Sequence, residues 1–232
     1  MTLVGCSKRN IDNSPLPELT RAESVMFDHP DSALHILESM PMPSARWEKE
    51  NHALWCLLTT QAQYKQVMRI PSDSLVRIAY DYYNATDNAR RKAMAALYMG
   101  NINYNLGNIE EALGYYLEGK TEIEKTEDYK TGYLIMSSLG KLYLYRNLSD
   151  YALESCTQAY NYAVKDSNKR YQMGGLQYLA RCYCISNKLP QAIESYQQCS
   201  AIAIELGLKN TDYYYDICLL YTSPSPRDRT RS

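Results

Sequence analysis

Small and apolar residues return along this chain every 40 positions. Gly100, Gly140 and Ala180 share that spacing, as do Met99, Leu139 and Leu179. So do Ala112, Ala152 and Ala192, each followed by Leu113, Leu153 or Ile193. Tyr116, Cys156 and Tyr196 repeat at the same offset, and so do Gly107, Asn147 and Asn187. A fixed period of about 20–50 residues marks stacked supersecondary units, each too small to bury its apolar face alone. Within one period the rhythm is helical. Ala96, Met99, Gly100 and Asn103 fall on one face of a first helix, and Ala112, Tyr116 and Gly119 on one face of a second. Between them Gly107 predicts a left-handed helix stop, a conformation that Asn147 and Asn187 also tolerate. Asn108 with Glu110 and Glu111 offers a cap and acidic charge to the next helix start, and Pro190 opens the corresponding helix of a later copy. The unit reads as a helical hairpin. Gly100 and Ala112 mark the closest approach of the two backbones, and Tyr116 fills the wider part of the wedge.

This pattern predicts an all-α chain of helix pairs, with clear copies at 89–126, 129–166 and 169–207. Weaker copies are expected at 17–40 and 46–86. In the first, Ala33-Leu34 with Leu37 behind Pro30-Asp31 reads as a second helix. In the next, Ala53 to Gln66 and Ser74 to Tyr83 read as a hairpin, with Ser74-Leu75 in the small-then-large slot. Residues 209–217 start another first helix, and the array from 17 to 217 counts as one domain.

The best copies are MSSLGKLY at 136–143 with Ala152, Cys156 and Ala159, and LQYLARCY at 176–183 with Ala192, Tyr196 and Cys199. This pattern resembles the tetratricopeptide repeat family. The departures are the lack of Trp at the large position and Asn103 standing where the family has Tyr. The unit is also 40 residues long rather than the family's about 34, so each helix is expected to be about a turn longer. The resemblance implies a right-handed α-solenoid of antiparallel helix pairs whose first helices face a concave groove. By that analogy Leu97, Asn101, Tyr104, Asn105, Lys141, Tyr145, Gln177 and Arg181 are the groove-lining candidates. Tyr, Asn, Lys and Arg suit an extended peptide, because Tyr adds contact area with few rotors and a polar tip. The same mixture also describes an ordinary solvated face. The Lys/Asn set with which family members clamp a peptide carboxylate is incomplete, with Asn101 present but Leu97 in the Lys position. Carboxylate capture is not expected.

Composition adds mainly exclusions. Apolar residues make up 45% and charged residues 22%, with a formal net charge of -1 and no basic stripe, so no nucleic-acid partner is expected. No run approaches about 18 apolar residues, so no membrane span is read from the sequence. There is no phosphate loop, HExxH or GxSxG, and His29, His35 and His52 are isolated. No catalysis, cofactor or metal is expected. Cys182 and Cys184 lie two apart on a helix and point in different directions. Cys156 and Cys199 occupy packing slots, and Cys56, Cys156, Cys182, Cys184 and Cys199 are expected to form no disulfide framework.

Both ends carry their own signals. From Cys218 to Asp228 the chain reads CLLYTSPSPRD, which matches the translation of a transposase sequencing adapter. Residues 218–232 are therefore expected to be a non-native tail, the alternative being an ordinary Ser/Pro/Arg-rich one. Without them, three Arg and one Asp drop out, leaving 22 basic against 25 acidic residues and a net charge of -3. The native chain is expected to continue past Ile217. At the front, Leu3-Val4-Gly5-Cys6 resembles the lipobox of bacterial lipoproteins, although the cationic and apolar parts of a complete signal are missing before it. The alternative is an ordinary Cys6. Ser7 to Pro17, with Pro15, reads as a polar tether, so residues 1–16 are taken as signal remnant plus tether. These features point to a protein-interaction solenoid, soluble as it stands. In a complete protein it would be held outside the cytoplasm by lipid on Cys6, as the sensory or scaffold part of a longer lipoprotein or signalling protein. The partner is a protein or extended peptide, and any membrane contact runs through Cys6. The alternative is a helical-repeat lipoprotein that binds glycans, with Trp47 or Trp55 as its aromatic platform, although spacing with Leu58 and Ala62 places Trp55 in a core.

Overall fold

The computed structural model describes residues 15–46 and 48–208. Cys6, Trp47, residues 209–217, where a further repeat is expected to start, and residues 218–232 lie outside the described residues. All regular structure among the described residues is α-helical. Contacts divide the chain into two compact units, Met1–Asn88 and Ala89–Ser232.

The first unit contains α1 (Pro17–Val25), α2 (Pro30–Ser39), α3 (Lys49–Lys65) and α4 (Ser74–Asn84). Pro17 and Pro30 open their helices where a missing N–H leaves nothing unpaired. Leu19, Ala22 and Met26 pack with Ala33, Leu34 and Leu37 of α2 and with Leu54, Leu58 and Ala62 of α3. Trp55 borders this core, and its indole N–H donates to the Leu37 carbonyl at 3.0 Å. Burial shifts the register expected for α4. Ser74 is exposed and Leu75 half-buried, while Val76, Ala79 and Tyr83 are buried. These match Tyr116, Gly119 and Ile123 at the 40-residue offset, which puts the small slot at Ser72, before the helix starts. A slot outside a helix cannot pack as one, which is why the sequence placement at Ser74-Leu75 was two residues late.

The second unit follows the repeat closely. Its helices are α5 (Ala89–Leu106), α6 (Ile109–Ile123), α7 (Tyr129–Tyr145), α8 (Ser149–Lys165), α9 (Lys169–Ile185) and α10 (Leu189–Glu205). First helices start at 89, 129 and 169, and second helices at 109, 149 and 189. Helices pack in consecutive pairs, with each pair also touching the next. Gly107, Asn147 and Asn187 stop the first helices at φ of 88°, 57° and 54°. In each case the following N–H closes back onto the carbonyl five residues earlier, Asn108 on Asn103, Leu148 on Tyr143 and Lys188 on Tyr183, at 2.8–3.0 Å. This double wrap satisfies carbonyls that a helix end leaves orphaned.

One local expectation is corrected. Asn108 does not cap α6; its side-chain amide donates instead to Asn103 Oδ1 at 3.0 Å. The observed side-chain caps sit on first helices, where Asp128 accepts from Thr131 N–H and Asn168 from Tyr171 N–H. At Gly100 the nearest neighbour is a side chain of the second helix. A Cβ there would overlap the ring of Tyr116, whereas at Gly119 it would meet the Ala93 carbonyl oxygen at 3.4 Å and Ala96 Cβ at 3.6 Å. At Gly140 it would lie 2.5 Å from Cys156 Sγ and 3.4 Å from the Cys156 backbone nitrogen. The small column therefore makes room for the second helix and for the large side chain it carries.

Candidate functional site

The first helices of the second unit present a common face, built from residues three and four apart on each helix and 40 apart between helices. On α7 the face carries Lys141, Leu144 and Tyr145; on α9 it carries Tyr178, Arg181 and Ile185. These side chains line a cleft of about 140 Å³. Tyr104 of α5 joins them from the preceding pair, with the Lys141 ammonium 5.4 Å from its ring centroid. Tyr145 is 65% exposed and Ile185 52% exposed, so the cleft offers apolar surface to solvent beside its two cations.

Of the groove candidates read from the sequence, Tyr104, Lys141, Tyr145 and Arg181 are brought together here. Asn105 is exposed near the end of α5 and Gln177 half-buried on α9, and neither lines the cleft. Leu97 and Asn101 are corrections. They are only 1% and 6% exposed, because α5 is buried on nearly every side between Ala93 and Asn103. Asn101 has a packing role, accepting a hydrogen bond from the Tyr116 hydroxyl at 2.9 Å. The sequence reading missed Leu144, Tyr178 and Ile185. The signal was present for two of them, since Leu144 lies 40 after Tyr104 and Ile185 lies 40 after Tyr145.

Two tyrosines at the cleft are perturbed by their surroundings. Burial pushes the Tyr104 hydroxyl above its ordinary value, and the neighbouring Tyr145 adds to the effect. Burial likewise raises Tyr178; adjacent Arg181 opposes the shift, while Tyr145, Cys156 and Tyr104 reinforce it. These phenols therefore stay protonated at neutral pH and remain hydrogen-bond donors. Among the described residues no carboxylate lines the cleft. Neither Lys141 nor Arg181 forms an ion pair among the described residues, whereas Arg90 reaches Asp128 at 2.9 Å, Lys169 reaches Glu205 at 3.2 Å and Arg146 pairs with Glu110.

Elsewhere, a second and more open hollow is lined by Glu124, Gln158, Asn161, Tyr162 and Lys165, where acid and base are both supplied by the protein. Among the described residues no group of His, Cys, Asp and Glu is placed to hold a metal ion. No described helix is long and apolar enough to cross a membrane. Cys56, Cys156, Cys182, Cys184 and Cys199 are unbridged. Burial pushes the Cys56 thiol up to about 11, and a hydrogen bond with Cys182 together with burial raises Cys156, so both serve as neutral packing groups. The half-buried indole of Trp55, one platform candidate, packs against the core edge and donates to the Leu37 carbonyl. The lipidation candidate Cys6 and the other platform candidate, Trp47, lie outside the described residues.

Comparison with known protein families finds no family model that matches the chain, and comparison with curated proteins finds no match.

Proposed function

We propose that this chain is a protein-interaction array of the tetratricopeptide type, which holds an extended peptide segment against the first-helix face of its second unit. The observation that carries this reading is the cleft formed by Lys141, Leu144, Tyr145, Tyr178, Arg181 and Ile185, with Tyr104 beside it. Its groups suit binding. Tyrosines supply contact area with few rotors to freeze, while a lysine and an arginine supply charge and directed donors. Every lining residue comes from a packed helix, so the surface is held in place before a ligand arrives, which lowers the ordering cost of association.

The same reading places the array outside the cytoplasm, as the scaffold or sensory part of a lipid-anchored or signalling protein. That part is motivated by Leu3-Val4-Gly5-Cys6 and the polar segment after it. Labelling of the complete gene product with a radioactive fatty acid tests the anchor, and a Cys6→Ser change that leaves the label intact removes it. For the binding reading, selection of phage-displayed random peptides on the 232-residue chain is expected to enrich specific sequences. Tyr145→Ala should weaken the selected peptides by roughly tenfold, a typical loss for an aromatic contact. Peptides indifferent to Tyr145→Ala would put their site elsewhere.

A further inference from the structure

The two cations of the cleft are its least explained feature. Lys141 and Arg181 stand 40 residues apart at the same position of consecutive first helices, and neither has a carboxylate partner among the described residues. Both cations line one cleft, so an anion seated in it would be attracted by each. Around them the surface is apolar and aromatic, with Leu144, Tyr145, Tyr178 and Ile185 in one lining. The lining joins charge to apolar surface, the mixture that the alternating side chains of an extended peptide present.

We infer that the cleft selects peptides in which an internal acidic side chain lies one extended step from an aliphatic or aromatic one, the acid held by Lys141 and Arg181 and the apolar residue by Leu144, Tyr145 and Ile185. The inference rests on the peptide-binding reading and adds its chemistry. In an extended chain, side chains two residues apart share a face at about 7 Å, which is within the reach of adjacent packed helices about 8–10 Å apart. Arg181 presents a planar fork that can grip a carboxylate through two parallel hydrogen bonds, and Lys141 adds a point charge. Tyr104 holds the Lys141 ammonium over its ring, which limits that side chain's freedom before binding. The phenols of Tyr104 and Tyr178, kept protonated by burial, can donate further hydrogen bonds to the same carboxylate.

The test uses fluorescein-labelled peptides Gly-Ser-Xaa-Ala-Zaa-Ser-Gly with amidated C-termini, where Xaa is Glu, Gln or Lys and Zaa is Leu, Tyr or Ala. Each is titrated with the full chain and followed by anisotropy. Glu with Leu or Tyr is expected to bind roughly tenfold or more tightly than the Gln or Lys peptides, and to weaken as salt is raised. Replacing Leu by Ala should also lose affinity. Arg181→Gln and Lys141→Gln should each remove the preference for Glu, and Arg181→Glu should turn it towards Lys. Arg181 is exposed and Lys141 half-exposed, so the variants are expected to keep the wild-type circular dichroism and melting temperature. Equal binding of Glu, Gln and Lys peptides overturns the inference while leaving the peptide-binding reading in place. Binding that requires a free C-terminal carboxylate also overturns it, in favour of chain-end capture. Absence of binding by every capped and uncapped peptide overturns both.

Discussion

Glycine and tyrosine answer one another across this protein. The ring of Tyr116 occupies the space a Gly100 side chain would need, and Tyr162 stands in the same relation to Gly132. A Cβ on Gly175 would meet Tyr160 Cα at 3.1 Å, and one on Gly174 would meet the Tyr133 hydroxyl at 2.5 Å. Tyr133 itself stacks on Tyr171 with centroids 4.3 Å apart. The excess of tyrosine, 23 against one phenylalanine, therefore has a packing component separate from the cleft. Gly100→Ala is expected to destabilise the protein by about 1–3 kcal/mol through overpacking. Gly114→Ala, exposed in the middle of α6 with nothing near its Cβ, should stabilise it by about 0.5–1 kcal/mol. Chemical denaturation of the two variants should give shifts of opposite sign, and a shared sign would undo the socket argument. A third site is Val67, which wraps the end of α3 at φ 57° with 91% of its surface exposed. A β-branched residue in that region is strained by about 1–2 kcal/mol, and no packing is lost on removing it. Val67→Gly should therefore raise the melting temperature even though it adds flexibility to the unfolded chain.

At the scale of the element, the structure relies on how helices end. Gly107, Asn147 and Asn187 close the first helices, and Ser167 and Gly207 close second helices in the same left-handed way. Starts are less uniform. Asp128 is the best secured: its Oδ1 accepts from the Thr131 N–H at 3.1 Å, and its Oδ2 accepts from both the Thr131 hydroxyl at 2.8 Å and Arg90 Nε at 2.9 Å. Burial alone would raise the Asp128 carboxyl, but the Thr131 and Arg90 hydrogen bonds outweigh it and hold the group below its ordinary value. A carboxylate depressed in the folded state contributes stability that is complete above its unfolded pKa and is lost as pH falls through the folded one. Asn retains the capping geometry without the charge. Asp128→Asn should thus cost about 1 kcal/mol at neutral pH, and wild type and variant should converge in acid below the carboxylate range. Urea unfolding at a series of pH values measures this. A gap that stays constant from neutral to strongly acidic pH would mean that the charge contributes nothing.

The whole molecule is organised as two units with cores that can be perturbed separately. Leu37 is fully buried among Leu19, Ala22, Met26, Leu54 and Leu58, all within the first unit. Leu37→Ala should cost that unit about 2–5 kcal/mol. In repeat architectures each unit leans mainly on its neighbours, so damage stays local before it becomes global. Hydrogen exchange in the variant is expected to speed up in α1 to α4 while amides of α7 to α9 keep their protection. Uniform acceleration across all ten described helices would show a single cooperative block instead. Binding belongs to this scale too, because the cleft draws on α7 and α9, with α5 beside it, and no one helix carries enough of it to bind alone.

The helix pairs were legible because a repeat must bury the same face each time, and the 40-residue columns record that demand in residue type. The starts of α5, α7 and α9, the left-handed stops and the small-large packing column could all be read this way. The column Asn88, Asp128 and Asn168 was equally regular but went unread, although Asp128 and Asn168 prove to be caps. The register of α4 was misplaced because Ser72, the 40-residue match to Ala112, falls before that helix. The cleft was half legible. Surface positions repeat in place without repeating in chemistry, so Asn101, Lys141 and Arg181 occupy one column with different fates, the first buried against Tyr116 and the others facing solvent. Periodicity assigns a residue to a face of its helix. Only packing between helices decides whether that face is covered, and so only the tertiary structure distinguished Leu97 and Asn101 from Lys141, Tyr145 and Arg181.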